Sequence, residues 1–471
     1  MDIIDMDALA LSAAIDAKTV SAVEVMQATL TRIDAVNTDV NAIVSLRDRD
    51  ELFAEAARAD TEPRKGWLHG IPIAIKDLAK ASGLPTSEGS PLFAGHIAAK
   101  DDLMVGRLRA EGALIIGKTN TPEFGLGSHT FNPVHGATRN PYDLGKSAGG
   151  SSGGAAAALA TRMLCVADGS DMMGSLRNPA GWNNVYGMRP TWGTVPSEAE
   201  GDMFLHQLST SGPMARSPTD LGALLDVMTG ADPHQPHGFS PADTLPQLAR
   251  DLPRQRIGWL EDWQGALPYA DGIKELSELA LGQLGALGHD VDWIAPGFEA
   301  DDLWHSWITL RSFSVAAGLR ALYDDPDKRD HLKPAAIWEV ERGLAMDAMT
   351  LQHASEVRSD WFRRTTDLFE QVDVLALPSA QLWPFDVDMT YPTEIAGVQL
   401  DTYHRWMQVV IPASLLGLPV VNIPIGFGAN GLPAGLQLIG RRGSDARLLQ
   451  LAQVWHAATT WPQKHPPKIL T

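Results

Sequence analysis

Three short stretches of this sequence carry residue types that could do covalent chemistry. The first holds Lys76, at the end of Ile71-Pro72-Ile73-Ala74-Ile75-Lys76-Asp77. A lysine at a strand end is ordinarily a solvated charge. Here the residues alternate: Ile71, Ile73 and Ile75 share one face of a strand, and Pro72, Ala74 and Lys76 share the other. The amine therefore belongs to an otherwise apolar strand. Burial disfavours an ammonium ion, and a lysine that gives up its proton near neutral pH can act as a general base.

The second stretch is Gly149-Gly150-Ser151-Ser152-Gly153-Gly154. Glycines let a backbone approach a neighbour closely, and such a cluster also suits a flexible loop or a helix N-terminus. A phosphate-cradling loop would need a following Gly-Lys-Ser/Thr, which is missing. Gly150-Ser151-Ser152-Gly153-Gly154 also fits G-x-S-x-G, with Ser152 as nucleophile, but that motif requires a hydrophobic strand directly before it. Leu144 to Gly149 makes a poor one.

The third stretch runs from Asp168 to Pro179 and contains Gly174-Ser175. A strand that ends in a tight turn can hold a serine still, and successive backbone N–H groups in the turn can converge on one oxyanion. Metal chemistry has less support. Among the 14 histidines there is no H-E-x-x-H, and no cysteine-rich ligand set exists. His69, His129 and His206 could line a pocket, but the structural role is the commoner one for such residues. No metal and no organic cofactor is expected.

These residues need a scaffold. Residues 21–36 read as an amphipathic helix, with Ser21 and Glu24 as a capping box and Val23, Met26, Leu30 and Ile33 at helical spacing. Leu114 to Ile116 reads as a short strand closed by Gly117, and an Ala-rich helix follows Gly154 to about Met163. Leu164 to Ala167 reads as a strand, and Asp168 to Ser175 as a polar turn. A proline- and histidine-rich stretch, 231–254, marks a junction. A strand at Arg256 to Leu260, a helix near 271–287, helices through 300–372 and strands at Asp373 to Leu377 and Leu418 to Pro424 complete the pattern. The expected fold is α/β: one large domain with a mixed, mostly buried central β-sheet covered by helices on both faces. Within it, 1–65 would be an N-terminal helical segment, 66–230 the core, 231–372 a largely helical insertion, and 373–471 the return to the core sheet.

The totals narrow the function classes. The chain has 471 residues, 44% of them hydrophobic and 20% charged, and a formal charge of −19. So acidic a surface repels phosphate backbones and anionic lipid, which argues against nucleic-acid and membrane-surface binding. No basic and apolar leader is visible, and no apolar run reaches the roughly 18 residues of a membrane span. A single cysteine, Cys165, excludes an intrachain disulfide and suits a cytoplasmic location.

Taken together, these stretches resemble the amidase signature family of serine amidases. The matching blocks are Leu68 to Asp77, Gly149 to Gly154, Gly169 to Pro179, Gly187 to Thr191, Gly212 to Ser217 and Gly431 to Gly440. Ser151 and Ser175 lie 24 residues apart, as in the family pattern. The resemblance implies the family fold and an amide hydrolase in which Ser175 is the nucleophile. Ser151, preceded by a cis peptide bond, would be the bridging serine and Lys76 the base. It also implies an oxyanion hole from the N–H groups of Met172, Met173 and Gly174, with Asp171 and Arg177 bracing the loop. Many members have glycine where this chain has Met173, which bears on pocket shape.

The expected partner is a small-molecule amide, with a homodimer left open. Two other functions fit the same blocks. One is the glutaminase subunit of an amidotransferase complex, although such subunits tend to carry an acidic residue where this chain has Met407. The other is a non-catalytic binding protein on the same fold, against which the retention of Lys76, Ser151 and Ser175 together speaks. Trp304, Trp307, Trp383 and Trp406 are candidates for shaping an acyl pocket.

Overall fold

The computed structural model describes residues 2–198, 200–205 and 207–470. Eleven strands form its two main sheets: β1 (Ile43–Val44), β2 (Pro72–Lys76), β3 (Leu114–Thr119), β4 (Val166–Asp171), β5 (Tyr186–Arg189), β6 (Thr210–Ala215), β7 (Arg256–Trp259), β8 (Asp290–Trp293), β9 (Val374–Pro378), β10 (Val420–Phe427) and β11 (Pro433–Gly440). Eight make one sheet in the order β8-β7-β9-β11-β10-β5-β6-β4, and three make a smaller one in the order β1-β3-β2. The large sheet is mixed: β7 runs parallel to β8 and β9, and the remaining pairs are antiparallel.

Period-two alternation assigns residues of the large sheet to cores on its two faces. In β9, Val374 and Ala376 join the core beneath the helices Pro218–Met228, Ile273–Ala286 and Asp445–Thr459, while Leu375 and Leu377 face the opposite way. That second core is rich in tryptophan, with Trp182, Trp304, Trp307, Trp361 and Trp406. The expected α/β fold with a buried mixed sheet and helices on both faces is therefore present. No helix of the described residues is long and apolar enough to cross a membrane.

Some local expectations hold closely. The helix Ala22–Val40 begins with the capping box: the Ser21 side chain accepts from the Glu24 N–H, and the Glu24 carboxylate accepts from the Ser21 N–H. Others change. The strand at Leu114 does not close at Gly117 but continues to Thr119. Gly117 sits flush against the preceding chain, where a Cβ would lie 3.0 Å from Leu46 Cα. Asp168 to Asp171 are not turn but strand, because β6 supplies a full ladder: Asp168 pairs with Pro213 and Asp171 with Thr210. Their polarity hid them, since a strand that lines a site does not show an apolar period. The stretch 231–372 is helical over Ala300–Tyr323, Pro334–Leu344 and Ala348–Gln371 and supplies the expected strand as β7; β8, beside it at one end of the large sheet, was not expected.

Candidate active site

The two sheets meet at Lys76. Its backbone N–H donates to Asp168 Oδ1 at 3.0 Å, tying the end of β2 to β4. The side chain is 1% exposed. Its Nζ lies 2.7 Å from Ser151 Oγ, 2.9 Å from Ser152 Oγ, 3.1 Å from Ser170 Oγ and 3.4 Å from Ser170 O. Burial pulls the amine's pKa down to about 7, against the opposing pull of Asp168 and Asp171. Burial also pushes Asp168 up to about 6. Near neutral pH the amine is thus poised between its charged and uncharged forms.

Ser151 and Ser152 reach this amine because the backbone around them is packed without room for side chains. A Cβ on Gly154 would fall 2.3 Å from Asn120 N. Gly150 N–H donates to Asn178 Oδ1 at 3.0 Å, and Gly153 N–H donates to Thr130 Oγ1 at 3.1 Å. The Gly150–Ser151 peptide is cis, as the family resemblance implies.

Ser152 and Ser170 were not singled out by sequence as partners of the amine. The signal for Ser170 was its spacing: Asp168 and Ser170 share one face of β4 and both reach Lys76, which follows once that segment is recognised as strand. Ser152 stands out in the sequence only as a nucleophile candidate. Its place beside the amine makes it a hydrogen-bond partner of the base.

Beyond β4 the chain turns through Met172, Met173 and Gly174 to Ser175. Gly174 has φ +78°, and a Cβ there would also meet Val410 Cγ2 at 2.9 Å. Asp171 holds the turn from within. Its carboxylate accepts from Gly174 N–H at 2.8 Å and from Leu176 N–H at 3.0 Å. Arg177 grips the same carboxylate with Nε at 3.0 Å and Nη2 at 2.9 Å, a bidentate pair. Arg189 approaches Asp171 Oδ1 at 3.4 Å and also donates to the Asp171 carbonyl. Arg177 then extends to Val410 O and Gln437 Oε1, both at 2.9 Å, and to Ser414 Oγ at 2.5 Å.

All three charged groups are fully buried. Burial by itself would raise the Asp171 pKa, but the adjacent Arg177 and Arg189 outweigh it and hold the carboxyl well below the usual carboxylate range. Asp171 and Arg177 thus brace the loop, and Arg189, absent from the sequence expectations, is a third member. The structure gives one of the three expected oxyanion donors another partner: the Gly174 N–H is engaged by Asp171.

Ser151 and Ser175 line one cavity of about 100 Å³, walled also by Met172, Met173, Met407 and Arg311. Met173 keeps a negative φ, so the side chain in place of the family's glycine costs no left-handed strain and closes part of the wall. The tryptophans proposed for this wall are elsewhere. Trp406 stacks on Trp182 with ring centroids 5.1 Å apart, Trp304 and Trp307 lie inside the helical layer, and Trp383 donates its indole N–H to Asp271 O. Flat rings of that size fill the wide space between helices and sheet; flexible thioethers line the small cavity instead.

His69 and His129 bond to the carbonyls of Ala59 and Met389, each at 2.8 Å, and neither lines the cavity. His206 lies outside the described residues. Among the described residues, no group of three or more His, Cys, Asp or Glu is arranged to hold a metal ion.

Comparison with known proteins points to one family. The family profile described as Amidase matches residues 24–449. An acylamidase of Rhodococcus erythropolis is 32% identical, covering 98% of this chain and 97% of that protein. A glutamyl-tRNA(Gln) amidotransferase subunit from Ralstonia nicotianae is 33% identical over 97% of this chain and 98% of its own. Among solved structures, a bacterial aryl acylamidase of the amidase signature enzymes superposes with a TM-score of 0.91 at 26% identity, over 98% of each chain.

Proposed function

The chain belongs to the amidase signature family and is an amide hydrolase, and from that premise we propose that Ser175 is its nucleophile, with Ser151 and Lys76 as the proton relay. The observation that carries this proposal is the buried Lys76 amine 2.7 Å from the Oγ of Ser151, a serine that lines one cavity together with Ser175. A serine hydroxyl is a weak nucleophile until a base takes its proton. Uncharged Lys76 accepts the proton of Ser151 as Ser151 takes that of Ser175. The Ser175 oxygen bonds to the amide carbon, and the carbonyl oxygen becomes an oxyanion held by the N–H groups of Met172 and Met173. One such donor contributes on the order of 3 kcal/mol to the transition state.

The C–N bond then breaks as the relay returns a proton through Ser151 to the leaving nitrogen. A water molecule, deprotonated by the same relay, attacks the acyl-enzyme and releases the acid. Ser152 and Ser170 hold the amine in place from its other sides.

The substrate is a small-molecule amide. We favour a free-standing amidase over an ammonia-delivering subunit because Met407 stands where glutaminases tend to carry an acid. Beside Met172 and Met173 it makes a thioether wall which, among the described residues, presents no carboxylate for the ammonium of glutamine. The lone, buried Cys165 fits a cytoplasmic setting.

Peptide mapping after treatment with a serine-directed phosphonyl fluoride tests the nucleophile. The label is expected on Ser175 and on no other serine. Label on Ser152, or label retained by a Ser175→Ala variant, overturns the assignment.

A further inference from the structure

Among the described residues, the cavity is lined by one charged side chain, and the proposed mechanism does not use it. Arg311 projects from the helix Ala300–Tyr323 and is 5% exposed. Two of its three nitrogens are well satisfied. Nε donates to Glu339 Oε1 at 2.7 Å and Nη2 donates to Tyr403 OH at 2.9 Å. The guanidinium carbon also lies 5.1 Å from the ring centre of Trp307.

Among the described residues, the third nitrogen, Nη1, meets only the thioether of Met172, with Sδ at 3.2 Å. A thioether is a weak acceptor, and a buried guanidinium ordinarily spends its donors on oxygens. Met172 is also the first residue of the turn that carries Ser175. The under-used donor therefore faces the place where a substrate would lie.

The charge of this arginine is already balanced. Glu339 is fully buried and accepts from Arg311, Ser312 Oγ at 2.6 Å and Tyr403 OH at 2.8 Å. Arg311 holds Glu339 ionised despite its burial, and burial keeps the neighbouring His404, 3.6 Å from Glu339, neutral at physiological pH with a pKa of about 3. The cavity thus offers a strong, directed N–H donor whose own charge is matched by Glu339. A carboxylate placed there would be desolvated without a free countercharge; an uncharged carbonyl oxygen would gain a hydrogen bond at little desolvation cost.

We propose that Arg311 is a specificity-determining residue that donates from Nη1 to a second, uncharged carbonyl oxygen of the substrate. The preferred substrates are amides that carry a ketone, ester or further amide group close to the scissile bond. The closeness follows from placement: Arg311 and Ser175 line the same small cavity, so the second oxygen lies a few bonds from the carbonyl attacked by Ser175. This inference rests on the proposed reaction at Ser175.

The test compares kcat/KM within matched substrates on the purified enzyme. On the acyl side, the 4-oxopentanoyl, pentanoyl and succinyl p-nitroanilides differ only in the far end of the acyl chain. On the amine side, N-pentanoyl-glycinamide is compared with N-pentanoyl-propylamine. In one of the two series the carbonyl-bearing member is expected to exceed its hydrocarbon partner about tenfold or more, and the ketone to exceed the carboxylate. In Arg311→Met that ratio is expected to collapse towards one, whatever the absolute rates. Should Arg311→Met fail to fold because Glu339 is left unpaired, the paired variant Arg311→Met/Glu339→Gln removes both charges and reads the same ratio.

Hydrolysis of every amide at rates within about twofold of its partner overturns the inference and leaves the hydrolase standing. A preference for the succinyl substrate overturns the assignment of an uncharged ligand. A wild-type ratio that survives Arg311→Met assigns the recognition to another residue. Turnover of no amide at all strikes at the proposed reaction itself.

Discussion

The Nζ of Lys76 lies 2.7 Å from the Oγ of Ser151, a residue 75 positions further along the chain. The amine is buried and the hydroxyl stands at the edge of a cavity that also exposes Ser175. Removing either end of this contact should have different consequences from removing its neighbours.

Ser175→Ala deletes the proposed nucleophile and little else. Its turnover is expected to fall by at least about 1,000-fold, in line with other serine hydrolases that lose a catalytic residue. The thermal midpoint should stay within a few degrees of wild type. Amide hydrolysis and a melting curve on the same preparation check both. Substantial turnover in this variant would contradict the mechanism.

Ser151 and Ser152 both touch Lys76, but only Ser151 lines the cavity. Ser151→Ala is expected to cost nearly as much activity as Ser175→Ala. Ser152→Ala should cost about 10- to 100-fold, the value of one hydrogen bond to a charged or reacting group. Equal losses in the two variants would assign the bridge differently.

The amine with a pKa of about 7 predicts a pH profile. The uncharged form is the base, so kcat/KM should rise through about pH 7 and level off above it. The same shift has a stability sign. The folded pKa lies below the ordinary value of 10.5, so between about 7 and 10.5 the unfolded chain binds a proton that the folded chain has released. Stability contributed through Lys76 therefore increases as pH rises across that window. Urea titrations at pH 7 and pH 10 should differ less in Lys76→Met than in wild type.

Asp171 holds two buried arginines and two turn amides. Asp171→Asn leaves those charges unpaired and should destabilise the fold by about 3–5 kcal/mol. Because its carboxyl is held well below the usual range, Asp171 stays ionised in the folded state down through pH 4. Its stabilising effect is full above the unfolded value of 3.8 and is lost only as pH falls towards the folded one. Acid unfolding of the wild type above pH 5 that is absent in Asp171→Asn would count against this network.

Gly174→Ala places a Cβ at φ +78°, 2.9 Å from Val410 Cγ2. A shift of the turn should follow, with a loss of about 1–3 kcal/mol in stability and a larger loss in kcat than in KM. A KM effect alone would show that the turn tolerates the methyl group.

Sequence by itself determined the parts whose signal is local. The alternation around Lys76, the capping box at Ser21 and the glycines beside Ser151 each follow from neighbours in the chain. The motif blocks around Lys76, Ser151 and Ser175, set side by side, were enough to identify the family and to propose these three as its reacting residues. Tertiary structure alone decided what those residues touch. Ser152 and Ser170 around the amine, Arg189 on Asp171 and Arg311 in the cavity wall come from segments distant in sequence, and a periodic pattern reports that a face is buried but not what covers it. The tryptophans show the same limit, since their size says they are interior but not that flexible methionines take the cavity. Polar strand β4 shows the reverse case, in which a ladder with β6 overrides a sequence that looks like a turn, because paired backbone groups stabilise a strand whatever its side chains.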